Sequence, residues 1–239
     1  LPRRSTSSWI SRNGVFVLLF RASVERVVEG LGRCAHGVPF GECFAPGCPV
    51  WLGDPHGAQP WKTGWALSRY SVESSRDTWM GSQIHKAKYS HAPKHEKEAA
   101  ADEIAGRLMG FIAEVYEDPG LPFSVCVAPP SHQQKEFELA HYLCNEVAVG
   151  FELIDASQHL REKKSVTSMK EISGFENRLK RLTNALTVDP PTTSSTPRGF
   201  LIIDDVFDTG ATTTTICRVL KEVFPQSQFH VLAGACLRG

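Results

Sequence analysis

The residue types best suited to chemistry lie in one stretch near the carboxyl terminus. Residues 200–215 read FLIIDDVFDTGATTTT, so an apolar run leads into Asp204 and Asp205. A third acid, Asp208, opens a turn rich in Thr and Gly. Paired carboxylates are strong acceptors for two vicinal hydroxyl groups, such as those of a ribose. The order of residues therefore predicts a sugar site with a tight turn directly beyond it.

The turn itself has the properties of a phosphate site. Gly210 lets the backbone bend and approach an anion closely. The first N–H groups of a following helix have no intrahelical partner, and the helix dipole adds partial positive charge. A Walker A loop is absent, because no Lys follows the glycine. The alternative is an ordinary strand end and a Thr-capped helix, but four successive Thr residues at 212–215 are poor helix formers.

The elements that position this stretch alternate between strand and helix. Apolar residues repeat at helical spacing within 104–115, 137–147, 172–182 and 216–224, and short apolar runs cover 123–128, 151–155, 200–206 and 229–237. This order predicts an α/β fold with an open, mostly parallel sheet flanked by helices. Ligands of such sheets bind beyond the carboxyl ends of the strands. The acids and the turn are expected there.

The chain divides into three segments by composition. Residues 1–33 are predicted to be an N-terminal extension, 34–83 a small Cys- and Trp-rich subdomain, and 84–239 the α/β domain. Residues 49–83 are predicted to be irregular. The whole of 34–83, with neighbouring loops, is predicted to cover the ligand site as a hood. The apolar run at 15–20 is far shorter than the ~20 residues that span a bilayer. We expect a cytoplasmic protein with no membrane partner.

Four potential zinc ligands lie within fifteen residues of the small subdomain. They are Cys34, His36, Cys43 and Cys48, separated by turn-forming Gly and Pro. Structural zinc takes four such ligands in a tetrahedron, so a structural Zn²⁺ site is one interpretation. The spacing differs from paired CxxC knuckles, and a loop with incidental cysteines is the other interpretation.

Overall composition excludes several classes of protein. The chain has 239 residues, with 41% hydrophobic and 22% charged, typical of a globular protein and unlike a disordered tail or a membrane protein. Lys+Arg and Asp+Glu are both 26, so the net charge is zero and nucleic acid is not expected as a partner. Seven cysteines do not suit a paired disulfide scaffold. Four of them are predicted to be buried thiols, namely Cys126, Cys144, Cys217 and Cys236.

Residues 201–213, LIIDDVFDTGATT, resemble the phosphoribosyl-pyrophosphate signature of the type I phosphoribosyltransferases. Within that superfamily the chain is similar to the ComF-type competence-associated proteins. The shared features are the cysteines of 34–48, Lys88-Tyr89, a strand ending in Pro129-Pro130, the basic residues of 161–164, Arg178 and Asn184.

The resemblance implies a reaction and roles for the residues. Phosphoribosyl pyrophosphate and Mg²⁺ would bind, and the phosphoribosyl group would pass to an unidentified nitrogenous base or amine. Asp204 and Asp205 would hold the ribose hydroxyls, directly or through Mg²⁺, and Asp208 would stand near the base as a proton acceptor. The alternative for Asp208 is a helix N-terminal acid. The residues implied for the 5′-phosphate are Thr209, Gly210, Ala211, Thr212 and Thr213.

The loop after Pro130 departs from the family pattern. ComF-type proteins carry several arginines there, whereas here only Lys135 is firmly cationic. Arg161, Lys163 and Lys164 are expected either to bind pyrophosphate in their place or to form a solvated surface loop. The departure favours one alternative function, a non-catalytic sensor of phosphoribosyl pyrophosphate or nucleotide. The ComF likeness alone suggests another, an adaptor in DNA uptake or processing. A homodimer is also implied, since dimers are common in the superfamily.

Overall fold

Ten strands, five α-helices and one short 3₁₀ helix make up the described part of the computed structural model. It describes residues 48–52, 60–72, 76–116, 121–130, 137–162, 174–183, 185–189 and 196–237. The strands are β1 Val50–Trp51, β2 Thr63–Arg69, β3 Ser71–Val72, β4 Arg76–Asp77, β5 Val125–Val127, β6 Ile154–Asp155, β7 Leu160–Glu162, β8 Leu186–Val188, β9 Gly199–Phe207 and β10 Gln228–Cys236. The helices are α1 Trp79–Tyr89, α2 Lys94–Val115, α3 Leu139–Phe151, α4 Phe175–Thr183 and α5 Ala211–Val223, and the 3₁₀ helix is Ser157–His159.

Six of these strands form one sheet in the order β1-β2-β10-β9-β5-β6. The four pairs from β2 to β6 are parallel, and only β1 runs antiparallel to its neighbour β2. Two antiparallel ladders, β3–β4 and β7–β8, stand apart from this sheet. The predicted α/β class with a mostly parallel sheet is confirmed.

Helices cover both faces of the sheet, so the central strand β9 is apolar nearly throughout. Leu201 and Ile203 pack with the buried residues of α1, α2 and α3. Phe200 and Ile202 pack on the opposite face with those of α5. Successive side chains of a strand point to opposite faces of the sheet. Because helices bury both faces here, the apolar run before the acids is unbroken.

Several sequence-based boundaries need correction. The irregular structure predicted for 49–83 is wrong for Thr63–Arg69, which forms β2 inside the main sheet, parallel to β10. The sheet therefore includes strands that precede the predicted boundary at residue 84. Phe151 ends α3 and does not begin a strand. The helix α1 and the β7–β8 ladder were not predicted, because neither shows a long apolar period.

Within the described ranges, no helix is both long and apolar enough to cross a membrane.

Candidate functional site

The acid pair lies near the carboxyl end of β9, at the centre of the sheet. Asp204 is half-buried, and Asp205 is 5% exposed. Asp204 Oδ1 accepts a hydrogen bond of 2.9 Å from the Asp205 N–H, which fixes the first carboxylate against the backbone. Ligand sites of parallel sheets occur at this edge, so the fold places both acids where the sequence predicted.

Lys88, in the last turn of α1, forms an ion pair with the second acid. Its Nζ lies 2.6 Å from Asp205 Oδ2, and the two side chains are 27% and 7% exposed. Burial disfavours the charge of Lys88, but the attraction of Asp205 outweighs that effect and the pKa of Lys88 is raised. The charged form of Lys88 is thus favoured at this contact.

The electrostatic environment of Asp204 differs from that of Asp205. Burial raises the pKa of Asp204, and the neighbouring charge of Asp205 raises it further. Lys88 acts in the opposite direction on the pKa of Asp204 but does not cancel the rise. Asp205 therefore has a fixed counter-ion, whereas Asp204 takes up a proton more readily than an ordinary aspartate.

Asp208, the third acid, is paired with a cation from a different element. Arg178 of α4 donates from Nη1 to Asp208 Oδ2. The Arg178 side chain is 21% exposed, and that of Asp208 is 40% exposed. Leu179 and Leu182 pack on Ala211 at the start of α5, which holds α4 beside the turn. A ligand in the turn would therefore meet both charges of this pair.

The turn between β9 and α5 depends on a left-handed glycine. Gly210 has φ +80°, and a Cβ there would lie 2.8 Å from Cζ of Phe207. The Thr209 hydroxyl accepts a long hydrogen bond of 3.4 Å from the Ala211 N–H. α5 begins at Ala211, just beyond the carboxyl end of β9, and the first N–H groups of a helix have no acceptor within the helix itself. The local structure is the strand, turn and helix N-terminus that the sequence predicted.

The Thr residues of α5 differ in their access to a ligand. Thr209 and Thr212 are half-buried, whereas Thr213 is only 1% exposed. Thr215 is buried too, and its hydroxyl donates a hydrogen bond of 2.9 Å to the Ala211 carbonyl. Such a back-bond satisfies a buried hydroxyl within the helix. Part of the Thr run thus serves packing, and the partly exposed Thr residues at the turn are Thr209 and Thr212.

The remaining predicted ligands are not brought to the acids by the described residues. Arg161, on β7, pairs with Asp189 at 2.9 Å, and both side chains are well exposed. Lys135, Lys163, Lys164 and Asn184 lie outside the described residues, as do Cys34, His36 and Cys43. Cys48, the fourth predicted zinc ligand, is buried at 6% exposure. The predicted zinc set and pyrophosphate cations stay predictions.

A second group of atoms that could serve as metal ligands lies where β5, β6 and α3 meet. The ligand atoms of Cys126, Cys144 and Asp155 are within 4.8 Å of one another. Asp155 accepts from the Ser157 N–H at 2.9 Å and from its hydroxyl at 2.6 Å, and the Cys144 thiol donates to the same carboxylate. Internal hydrogen bonds therefore satisfy the cluster without an ion, and the predicted burial of both thiols is confirmed.

Lys88 and Arg178 are the site residues that sequence reasoning did not assign. Both were noted only as features shared with a family, and neither was given a partner. The ion pairs join α1 to β9 and α4 to the turn, over separations of 117 and 30 residues. No spacing rule in one sequence reports such contacts. The available signal was three acids in five residues, which need counter-ions when they are buried.

The acid pair does not suit a divalent cation held by the protein alone. Mg²⁺ requires oxygen ligands at about 2.0–2.1 Å in a regular octahedron. Asp205 Oδ2 already lies 2.6 Å from an ammonium group, whose charge would repel the ion. A Mg²⁺ that arrives on the phosphates of a ligand would not need this oxygen.

Comparison with known proteins gives a distant structural similarity. No family model matches the chain, and no curated protein matches it. Among solved structures, the chain is similar to adenine phosphoribosyltransferase from Leishmania tarentolae, with a TM-score of 0.34 and 14% sequence identity. The match covers 55% of this chain and 57% of that enzyme, so the chain spans little more than half the length of its structural neighbour.

Proposed function

We propose that the protein is a phosphoribosyltransferase, which binds phosphoribosyl pyrophosphate and transfers its phosphoribosyl group to a nitrogenous base or amine. One observation carries the proposal. An acid pair at the carboxyl end of the central strand is followed, after two apolar residues, by a left-handed glycine turn and a helix N-terminus. Sugar hydroxyls and a 5′-phosphate are two groups of one molecule that would use both features at once.

The reaction follows from the charges that develop in it. The bond between C1′ and the pyrophosphate oxygen breaks, and a nitrogen lone pair forms the new bond to C1′. The sugar ring gains positive charge as pyrophosphate leaves, and the carboxylates of Asp204 and Asp205 stabilise that charge while they hold the hydroxyls. Mg²⁺ bound to the phosphates of the ligand would supply neutralisation of the charge on the leaving group. The backbone N–H groups of 211–213 anchor the 5′-phosphate.

Two roles are open to Asp208: a proton acceptor during catalysis, or an acid that only pairs with Arg178. As a proton acceptor it would take the proton of the attacking nitrogen, but its carboxylate is already paired with Arg178. This pairing favours a second candidate function, a sensor that binds phosphoribosyl pyrophosphate without turnover. Release of pyrophosphate during a screen of bases and amines supports the enzyme, and binding without release supports the sensor.

Calorimetric titration with phosphoribosyl pyrophosphate and Mg²⁺ tests the site. We expect the wild type to bind and the Asp204→Asn/Asp205→Asn variant to lose at least tenfold in affinity, since two hydroxyl contacts disappear. Glu96→Gln, which changes an exposed acid of α2, is the matched control. Equal binding by wild type and double variant, or no binding by either, would show that the site is assigned wrongly.

The finer proposals concern the amino-terminal segment. The likeness to ComF-type proteins supports a structural Zn²⁺ held by Cys34, His36, Cys43 and Cys48. We expect one zinc per chain by elemental analysis and a loss of that zinc in Cys43→Ser. A homodimer is the proposed assembly, and light scattering would measure it.

A further inference from the structure

The ion pair between Lys88 and Asp205 places a permanent cation beside the two adjacent acids. Asp204, Asp205 and Lys88 together carry a formal charge of −1 when all are ionised, where the acids alone would carry −2. The Asp205 side chain is 7% exposed, and that of Lys88 is 27% exposed. The buried carboxylate is therefore paired with a side chain that is itself partly exposed to solvent.

The position of Lys88 is fixed by the packing of its helix. The Thr78 hydroxyl caps α1 by accepting from the Gly81 N–H at 3.0 Å and donates to the Arg69 carbonyl at 2.6 Å. A Cβ at Gly81 would lie 2.0 Å from the Tyr70 carbonyl oxygen, so the helix starts directly against the end of β2. Its buried face is 0–1% exposed at Ile84 and Ala87. The contact at Lys88 thus belongs to a helix anchored at its start and along its length.

Two neighbouring carboxylates without a counter-ion are good ligands for a divalent cation. Here one of the four oxygens already contacts an ammonium, and bringing Mg²⁺ to the pair would place like charges a few ångströms apart in a partly buried site. Charges this close in a partly buried site are poorly screened by solvent, so the ammonium group and the divalent cation would repel each other strongly. The acids are therefore kept for groups that donate hydrogen bonds.

We propose that Lys88 is a positioning residue that holds Asp205 ready to accept a hydroxyl hydrogen bond and keeps divalent cations off the acid pair. The divalent cation then reaches the site only on the phosphates of the ligand. The part of this inference that concerns the sugar rests on the proposed function. The exclusion of the cation concerns only residues of this chain.

Mn²⁺ serves as the probe, measured by electron paramagnetic resonance on the full chain with no sugar phosphate present. We expect at most weak, millimolar binding by the wild type. Lys88→Met leaves two uncompensated carboxylates and should bind Mn²⁺ roughly tenfold or more tightly. Lys88→Arg retains the cation and should behave as the wild type. Lys86→Met removes an exposed cation from the same helix and is the matched control.

The gained Mn²⁺ site is located by a second substitution. Adding Asp205→Asn to Lys88→Met removes one carboxylate along with the cation and should abolish the gain. If Lys88→Met unfolds, Lys88→Gln takes its place with the same expected gain in Mn²⁺ binding, because it removes the cation and keeps a hydrogen-bond donor for Asp205. Tight Mn²⁺ binding by the wild type, or no gain in Lys88→Met with its fold intact, overturns the proposal.

A separate titration distinguishes this inference from the proposed function. With phosphoribosyl pyrophosphate and Mg²⁺, Lys88→Met should bind at least tenfold more weakly than wild type, and Lys88→Arg should recover part of the loss. If Lys88→Met gains Mn²⁺ but the wild type binds no phosphoribosyl pyrophosphate, the exclusion of the cation stands and the proposed function fails. Undiminished ligand binding by Lys88→Met overturns the positioning role.

Discussion

Arg178 of α4 donates a hydrogen bond to Asp208, the acid that opens the turn between β9 and α5. The contact joins a short helix of the periphery to the candidate phosphate turn. Since Leu179 and Leu182 of the same helix pack on Ala211, the guanidinium is held by apolar contacts as well as by charge. The position of α4 and the charge of the turn are thus linked.

The strength of this link is measurable by a double-mutant cycle with Arg178→Met and Asp208→Asn. Partly exposed ion pairs contribute about 0.5–1 kcal/mol, so we expect a coupling free energy of that size from urea unfolding. Lys180→Met, on the exposed face of the same helix, should show no coupling with Asp208→Asn. A coupling within error of zero for Arg178 would mean that apolar packing alone positions α4.

Gly210 is the residue of the turn least tolerant of a side chain. Gly210→Ala combines a left-handed backbone at φ +80° with a Cβ 2.8 Å from the Phe207 ring. We expect a loss of about 1–3 kcal/mol in unfolding free energy and weaker binding of phosphoribosyl pyrophosphate. Thermal denaturation and calorimetry measure the two effects.

Gly106→Ala is the matched control for that substitution. Gly106 is exposed within α2, and a Cβ there meets no heavy atom within 4 Å. Alanine in a helix interior should stabilise the protein by about 0.5–1 kcal/mol. Equal effects of the two substitutions would contradict the conformational role given to Gly210.

The parts of the fold predicted from sequence are those that local pattern determines. The apolar run of 200–206 predicts β9, and the repeats within 216–224 predict α5, because burial on one or both faces leaves a period in the chain. The strand β2 was missed, since its sequence TGWALSR contains polar residues and follows a stretch rich in Trp, Gly and Pro. Its parallel pairing with β10 is a long-range contact that no local pattern reports.

The candidate site shows the same division. Asp204, Asp205 and Gly210 were predicted because they lie in one continuous motif. Lys88 was not assigned to the site, because its contact with Asp205 depends on how α1 packs against the sheet. Contacts between polar residues that are distant in sequence are revealed only by the tertiary structure.

Burial predicts that the core thiols are unreactive in the folded protein. Hydrogen bonding with Cys126 and burial raise the pKa of Cys144, and burial raises the pKa of Cys217. The thiolate is the reactive form, so iodoacetamide at pH 8 should leave both residues unmodified until denaturant is added. Mass spectrometry of native and unfolded samples measures this. Rapid native labelling of Cys144 would show that the α3–β5 contact opens.

His230 of β10 predicts how stability depends on pH. Its Nδ1 lies 2.7 Å from the Thr63 hydroxyl, which contacts the Tyr116 hydroxyl at 2.6 Å, and the residue is 1% exposed. Burial, with a smaller effect from the charge of Lys62, lowers the pKa of His230 to about 4. The native protein therefore holds this imidazole neutral across the pH range in which an unfolded chain protonates it.

The sign follows from that difference in pKa. Above about pH 6.5 neither state binds the proton, and the contribution of His230 to stability is constant. As pH falls from about 6.5 to about 4, only the unfolded chain gains the proton, so the native state loses up to about 3 kcal/mol. His230→Gln removes the titration, and its urea midpoint should approach that of the wild type as pH falls. His91→Gln, at an exposed position, should follow the wild-type curve. A constant difference between wild type and His230→Gln from pH 7.5 to 4.5 would mean that the buried imidazole accepts a proton without opening the contact between β2 and β10.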